Sequence, residues 1–218
     1  ARWLAAQGVR PGHRLMIVSE NCPDVAVALF AASLLDAWPV GVNARLSGRE
    51  IETIRSHSQP ALTLYTSGIS PAAAQHADAA GAVASDAEIW GDGIRHALAD
   101  SPTEADASDL VGRVATLIYT SGTTGAPKGV LVPHKGLLHF ARISSASRRL
   151  APDDIGYAAL PMSHIFGIAT VLMATVYAGA SLVLRSRFDA KDALAALADP
   201  GVSILQGVPT MFTRISRM

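Results

Sequence analysis

Residues Arg14–Ser19 (RLMIVS) form a short apolar run, and Pro23–Asp36 (PDVAVALFAASLLD) follows it after three residues. The first run predicts a buried strand, because it is short and rich in branched apolar residues. The second predicts a helix with proline in its first turn and Asn21 as a candidate cap. This helix is apolar nearly all round, so we expect it to lie between other layers of the protein.

The same alternation of strand-like and helix-like segments continues along most of the chain. Ser47–Ser58 (SGREIETIRSHS) begins with a capping-box pattern, in which Glu50 follows Ser47 three residues later. Such alternation predicts an α/β fold of mostly parallel sheets flanked by helices on both faces. The other predicted strands are Trp38–Val42, Ala61–Tyr65, Arg113–Tyr119, Val130–Val132, Ile155–Leu160, Ser181–Leu184 and Val202–Gln206. The other predicted helices are His134–Arg149, a segment ending at Tyr177, Ala190–Ala198 and Pro209–Arg217.

Residues 66–109 are poor in large apolar side chains and give weaker signals. They are rich in alanine, serine, aspartate and glycine. We expect one helix near Pro71–Ala79 and another near Ile89–Ala99. Ser101–Asp109 (SPTEADASD) is typical of an exposed linker. A boundary at this linker predicts two incomplete αβ subdomains, 1–107 and 108–218, the second of which carries a glycine-rich loop.

The composition of the chain is that of a globular protein. Of its 218 residues 50% are hydrophobic and 17% are charged, and 18 basic residues balance 18 acidic ones. The sequence has no stripe of basic residues, so nucleic acid is not a predicted partner. The single cysteine, Cys22, excludes an internal disulfide and a cysteine-based zinc site. Low cysteine usage fits a reducing compartment, so we expect a cytoplasmic protein.

Twenty consecutive residues, Ile165–Leu184, carry no charge, which is long enough to cross a bilayer. The alternative is a helix through Tyr177, a turn at Ala178–Gly179–Ala180 and a strand Ser181–Leu184. Glycine at a helix end, followed by a short run of strand-forming residues, favours this alternative. We therefore expect no transmembrane segment.

The most informative stretch for function is Tyr119–Gly129 (YTSGTTGAPKG), a predicted loop over Thr120–Gly129 that follows a predicted strand. Within its last ten positions lie four hydroxyl side chains, three glycines and Lys128. Small residues let backbone N–H groups converge on an anion, hydroxyls add donors, and a lysine supplies a point charge that suits phosphate. The composition therefore predicts a cradle for the β- and γ-phosphates of a nucleotide.

Two other interpretations of this loop fit less well. An ordinary turn needs one or two glycines but not four hydroxyls and a lysine. The common NTPase loop, G-x-x-x-x-G-K-[ST], fails because Ala126 and Pro127 separate Gly125 from Lys128. In addition, Gly129 stands where the magnesium-binding hydroxyl belongs.

The stretch Thr120–Gly129 resembles the AMP-binding signature of the adenylate-forming superfamily. That superfamily contains acyl-CoA synthetases, nonribosomal peptide adenylation domains and firefly-type luciferases. The resemblance covers nearly all of the chain, because further segments resemble family motifs in the right order. These are Gly8–Leu15 (GVRPGHRL), Ala37–Asn43 (AWPVGVN) followed by Arg45–Leu46, Leu160–Gly167 (LPMSHIFG) and Val208–Met211 (VPTM).

The resemblance implies a role for each matching residue. Lys128 would anchor or close the phosphate loop, although a lysine is usually a surface residue. His164 would border the acyl pocket and orient the carboxylate, although a lone histidine is more often structural. Phe166 and Gly167 would shape the same pocket, and an aromatic there could equally be core packing. The β- and γ-phosphates would be held by Thr120, Ser121, Gly122, Thr123, Thr124 and Gly125.

Enzymes of this kind join ATP and a carboxylic acid into an acyl-adenylate and pyrophosphate, and a thiol, usually that of coenzyme A, then displaces AMP. Mg2+ is the expected metal, with its main ligand outside these residues, so we predict no metal site within the chain. Amino-acid-activating domains hold the substrate ammonium with an aspartate downstream of the His164 motif. Ile165–Leu184 contains no acid, and an unpaired ammonium in an apolar pocket is costly. An aliphatic or aromatic acid is therefore the expected substrate, and an amino acid is less expected.

The resemblance also implies that the chain is an incomplete N-terminal part of such an enzyme. The family's tyrosine-glycine-x-threonine-glutamate motif, its ribose-binding aspartate and its C-terminal domain with a catalytic lysine have no counterpart here. Because catalysis needs all these groups together, we expect negligible acid-dependent ATP–pyrophosphate exchange from these residues alone. Two alternatives remain open: a non-catalytic nucleotide-binding or assembly module, and a phosphotransferase with an unusual loop. Neither the particular acid nor the oligomeric state is predicted.

Overall fold

The computed structural model describes residues 1–99, 104–106, 108–121, 127–198 and 201–218. The chain forms two compact units, Ala1–His134 and Lys135–Met218. The sequence predicted subdomains of 1–107 and 108–218. The first unit extends further than this because the strands after residue 108 are hydrogen-bonded into its sheet. The division into subdomains 1–107 and 108–218 stays a prediction.

The first unit is built on a seven-stranded sheet with the strand order β4-β5-β3-β1-β2-β6-β7. The four inner strands β3, β1, β2 and β6 run parallel, whereas β5, β4 and β7 pair antiparallel at the two edges. The prediction of an α/β fold with a parallel sheet is thus confirmed for the centre of the sheet. The strands are β1 Arg14–Ser19, β2 Trp38–Asn43, β3 Leu62–Tyr65, β4 Val83–Ala84, β5 Arg95–Leu98, β6 Val114–Ser121 and β7 Pro127–Pro133. The helices are α1 Arg2–Ala6, α2 Pro23–Ser33, α3 Gly48–Ser58 and α4 Pro71–Ala79.

The central strand β1 is buried on both faces of the sheet. Met16 and Val18 pack in one cluster with Ile51 and Ile54 of α3. Leu15 and Ile17 point to the opposite face, because side chains alternate along a strand, and they are equally buried. Burial on both sides explains why RLMIVS is continuously apolar rather than alternating.

The helix signals in the sequence are confirmed for α3 and partly for α2. In α3 the Glu50 backbone N–H donates to Ser47 Oγ, and the Ser47 N–H donates to the Glu50 carboxylate, which completes the predicted capping box. For α2 the predicted cap at Asn21 is wrong. Cys22 is the N-cap, with an extended backbone and no side-chain capping bond. The reason is that Pro23 is the first helical residue, and the residue before a proline is held extended.

The predicted helix over Ile89–Ala99 is also wrong. A short 3-10 segment, Glu88–Gly93, is followed by strand β5. β5 pairs antiparallel with β3 over four positions, from Leu62 opposite Leu98 to Tyr65 opposite Arg95. Pairing with the edge of β3 provides hydrogen-bond partners for the backbone N–H and C=O groups of this segment. This gain outweighs its weak helical preference.

The predicted linker 101–109 lies partly outside the described residues. In its described part, residues 104 and 105 are exposed, as expected. It is nevertheless attached to the first unit, because the Asp106 N–H donates to Gly12 O and Arg14 donates to Glu104 O. Gly12 has a φ of +78°, and a Cβ there would lie 2.1 Å from Asp106 O, so the close approach requires glycine.

The second unit contains a three-stranded parallel sheet with the order β10-β8-β9. The uncharged segment Ile165–Leu184 forms a π-helical stretch, Phe166–Met173, then helix α6 (Ala174–Ala178), a left-handed Gly179 and strand β9 (Ser181–Leu184). The predicted helix, turn and strand are thus confirmed. Within the described parts of the chain, no helix is both long and apolar enough to span a bilayer. The strands are β8 Ile155–Ala158, β9 Ser181–Leu184 and β10 Ile204–Leu205. The helices are α5 His134–Arg148, α6 Ala174–Ala178, α7 Ala190–Ala198 and α8 Pro209–Ser216.

A buried histidine near the edge of the first sheet is expected to make the stability of this unit depend on pH. His96 of β5 is 8% exposed, and the Trp3 ring packs edge-on against it at 5.1 Å. Burial lowers the pKa of His96, and the nearby Asp86 carboxylate opposes this shift only in part. A histidine with a lowered pKa favours the folded state while it is neutral. This contribution is present above the unfolded pKa of about 6.5 and is lost as the pH falls below it.

We therefore expect the urea midpoint of unfolding to fall when the pH is lowered from about 7.5 to about 5.5. The variant His96→Phe keeps an apolar ring in the same space and removes the titrating group, so its midpoint should fall less over this range. An equal fall in both proteins would contradict the assignment to His96. Urea titrations followed by tryptophan fluorescence at several pH values measure the effect.

Candidate functional site

The glycine-rich stretch joins the two strands of a β-hairpin at the edge of the first sheet. β6 continues to Ser121 and β7 begins at Pro127, so the predicted loop Thr120–Gly129 is shorter than expected at both ends. The ends become strands because their backbone groups pair across the hairpin, with Thr120 opposite Lys128. Residues 122–126, which include the predicted phosphate-binding Gly122, Thr123, Thr124 and Gly125, lie outside the described residues.

Thr120 and Lys128 are brought together next to this turn. Directly opposed residues of an antiparallel pair project from the same face, with Cβ atoms about 5 Å apart. Both residues are exposed, and in the described part of the chain Lys128 makes no ion pair. A hydroxyl and an ammonium that share one accessible face are suited to bind an anion at the end of the hairpin. The assignment of the individual phosphate-binding residues, Ser121 included, stays a prediction.

Tyr119 is a component of the hairpin that the sequence analysis did not identify as important. It lies opposite Gly129 and is half-buried. Its hydroxyl is 2.7 Å from Nδ1 of His57 in the last turn of α3, and the two rings meet edge-to-face at 5.6 Å. Burial raises the pKa of Tyr119, so its hydroxyl remains protonated near neutral pH. No local signal could reveal this contact, because the partners are 62 residues apart.

His164 lies in a tight turn of the second unit between β8 and the π-helical stretch. It is exposed, and its own N–H donates to Pro161 O at 3.1 Å. Its Nδ1 accepts a hydrogen bond of 3.2 Å from the N–H of Phe166. With Nδ1 used as an acceptor, the neutral ring carries its proton on Nε2. This exposed N–H is suited to donate to a carboxylate oxygen.

Phe166 and Gly167 have clear packing roles in the same turn. Phe166 is half-buried and contacts the core cluster of the second unit, which includes Tyr157 and Leu160. Gly167 is buried, and a Cβ at this position would lie 2.1 Å from Pro161 O. The turn therefore folds back so closely on itself that only glycine fits. The proposed pocket roles of His164, Phe166 and Gly167 stay predictions.

The described residues offer no set of metal ligands. They contain no group of three histidine, cysteine, aspartate or glutamate side chains placed to hold an ion. The hairpin belongs to the first unit and the His164 turn to the second. Of the predicted site residues, the structure thus brings together Thr120 with Lys128, and His164 with Phe166 and Gly167.

Sequence comparison relates the chain to enzymes that form coenzyme A thioesters. It is 30% identical over 217 residues to a feruloyl-CoA synthase of Amycolatopsis, covering 99% of this chain and 42% of that protein. It is 32% identical over 214 residues to a 2-succinylbenzoate–CoA ligase of Bacillus licheniformis, covering 98% and 43% respectively. The chain thus spans less than half the length of these curated relatives.

Comparison of structures gives the same relationship. The O-succinylbenzoate coenzyme A synthetase of Bacillus subtilis, solved in complex with AMP, superposes with a TM-score of 0.70 at 28% identity, over 99% of this chain and 54% of that one. The sequence matches the AMP-binding enzyme family over residues 1–218, the whole of the chain. This protein therefore belongs to the AMP-binding enzyme family.

Proposed function

We propose that the protein containing this chain activates an aliphatic or aromatic carboxylic acid with ATP and transfers the acyl group to coenzyme A. The observation that carries the proposal is the hairpin in which Thr120 and Lys128 lie opposite each other and exposed, on either side of a stretch of sequence rich in glycine and hydroxyl residues. The relatives, named as CoA synthases and ligases, support the reaction class.

In the first step a carboxylate oxygen attacks the α-phosphorus of ATP, and the bond from that phosphorus to the pyrophosphate oxygen breaks. Negative charge accumulates on the leaving pyrophosphate. Donors that are already in place there lower the barrier, and this is the role proposed for Lys128, Thr120 and the hydroxyls and N–H groups of the turn. His164 would donate from Nε2 to the carboxylate or the acyl-adenylate. In the second step the thiol sulfur bonds to the acyl carbon and AMP leaves.

Mg2+ is the metal expected for such a reaction, because it neutralises phosphate charge. The described residues do not provide a ligand set for it, so no step is assigned to a metal held by them. The cytoplasm is the proposed location, supported by the use of a single cysteine in the chain.

The nature of the substrate acid is testable through the uncharged segment Ile165–Leu184. Because it offers no carboxylate to an ammonium group, we expect aromatic and aliphatic acids to support acid-dependent ATP–pyrophosphate exchange. Amino acids with the same side chains should support little exchange. The measurement is exchange of labelled pyrophosphate by the protein that contains this chain. Matched pairs such as phenylpropionate and phenylalanine differ only in the ammonium group.

Exchange with phenylalanine but not with phenylpropionate would contradict the proposed substrate class. ATP binding without exchange for any acid would instead favour the alternative, a non-catalytic nucleotide-binding or assembly module. Thioester formation is measured separately, as the coenzyme A-dependent release of AMP with an acid that supports exchange.

A further inference from the structure

The hairpin lies at one edge of the seven-stranded sheet. Among the described residues, β6 is in register with β2 at one position, where Leu117 lies opposite Val40. The buried Thr116 hydroxyl adds a hydrogen bond to Pro39 O at 2.8 Å. β7 is the edge strand and pairs with β6. Among the described residues β7 therefore has β6 as its one neighbouring strand, and further support for β7 comes from outside the sheet.

Tyr119 connects this hairpin to helix α3. Its hydroxyl hydrogen-bonds to His57 Nδ1 at 2.7 Å, and its ring lies against Gly129 on the opposing strand. A Cβ on Gly129 would come within 3.2 Å of the Tyr119 ring, so the absence of a side chain there lets the ring cover the strand. One residue thus contacts both strands and the helix, directly next to Thr120 in the chain.

Helix α3 is a firm support for such a contact. Its apolar face carries Ile51 and Ile54 into the core of the first unit. Its C-terminal end is held by Arg14 of β1, whose guanidinium donates to Ser58 O at 2.8 Å and to Gln59 O at 3.3 Å. Displacement of the His57 backbone would therefore require movement of a helix end that is attached to the central strand.

We propose that His57 and Tyr119 are positioning residues, which brace the hairpin against α3 and so hold Thr120 and Lys128 in place for the phosphates of ATP. The inference rests on the proposed function, since it assumes that this hairpin binds ATP. Pre-organised donors raise affinity because less conformational freedom is lost when the ligand binds. Neither residue contacts the phosphates in this proposal, and both act through the position of the hairpin.

The test uses Tyr119→Phe and His57→Phe in the protein that contains this chain. Each substitution removes one partner of the hydrogen bond and leaves an aromatic ring in place. We expect each to raise the KM for ATP about three- to ten-fold, the range for loss of one hydrogen bond, with little change in the KM for the acid. The double variant should match the single ones, because the same interaction is lost only once.

Tyr157→Phe is the matched control. Its hydroxyl also makes a 2.7 Å hydrogen bond, to Asp192 in the second unit, so the variant loses a comparable bond far along the chain from the hairpin. Its KM for ATP should be that of the wild type. Hydrogen exchange gives a readout that is independent of activity. Amides of residues 118–121 and 128–130 should exchange faster in Tyr119→Phe, and those of β8 should not.

The possible outcomes distinguish an error in the positioning role of His57 and Tyr119, called the brace below, from an error in the proposed function. If the wild type shows no acid-dependent use of ATP, the proposed function is wrong and the brace is wrong with it. If the wild type is active but Tyr119→Phe keeps both the KM for ATP and the amide protection of the wild type, only the brace is overturned. Equal rises in both KM values, or strictly additive effects in the double variant, would indicate general loss of structure and would also overturn it.

Discussion

In the protein that contains this chain, replacement of Lys128 by alanine should lower acid-dependent ATP–pyrophosphate exchange by about 100-fold, the loss typical when one stabilising donor of a transition state is removed. Lys128 is exposed, faces Thr120 across the hairpin, and makes no ion pair within the described residues. Its removal should therefore cost charge stabilisation on the leaving pyrophosphate and little folding stability. Lys128→Arg should recover part of the rate, because it restores the charge with a different donor geometry.

The chain offers well-matched controls for this substitution, since it contains only two other lysines, Lys135 and Lys191. Both are exposed and lie in or at the start of helices of the second unit. Alanine at either position should leave exchange and stability near the wild-type values. Exchange by Lys128→Ala at the wild-type rate, measured at subsaturating ATP, would show that this lysine does not serve the phosphates.

Gly167→Ala is expected to destabilise the second unit by about 3 kcal/mol, at the upper end of the usual cost of overpacking. The added Cβ would lie 2.1 Å from Pro161 O, 2.6 Å from Pro161 C and 2.9 Å from Leu160 O. All three atoms belong to the backbone, so no side-chain rotation can relieve the clash. The turn that holds His164 must then open, and the hydrogen bonds from the His164 and Phe166 N–H groups should be lost with it.

Urea unfolding measures this loss, and Gly48→Ala provides the control. Gly48 is the first residue of α3 and has an ordinary helical backbone. A Cβ added there would have open space around it, with no contact inside 4 Å. Replacement there should be neutral or stabilising by about 0.5 kcal/mol, because alanine restricts the unfolded chain. A loss below about 1 kcal/mol for Gly167→Ala would mean that the turn relaxes easily and that glycine is not required there.

Much of the fold follows from signals that act within a few residues. The apolar run at β1, the capping box of α3 and the glycine after α6 each depend on neighbours in sequence, and all three predictions are confirmed. The errors in the predicted secondary structure occur where pairing with another segment of the chain determines the local conformation. The segment after Trp90 becomes strand β5 because the edge of β3 is available to pair with it. The ends of the predicted loop become strands because they pair with each other.

The sequence by itself determined the residue types of the glycine-rich stretch and the family to which the chain belongs, since both depend on residues in a fixed order. Only the tertiary structure decided which residues lie against the hairpin that carries this stretch and where the backbone requires glycine. The contact of Tyr119 with His57 joins residues 62 positions apart, and the need for glycine at position 167 arises from the path of the backbone at Pro161. Such contacts have no local signature, because they depend on how separate elements meet after the chain has folded.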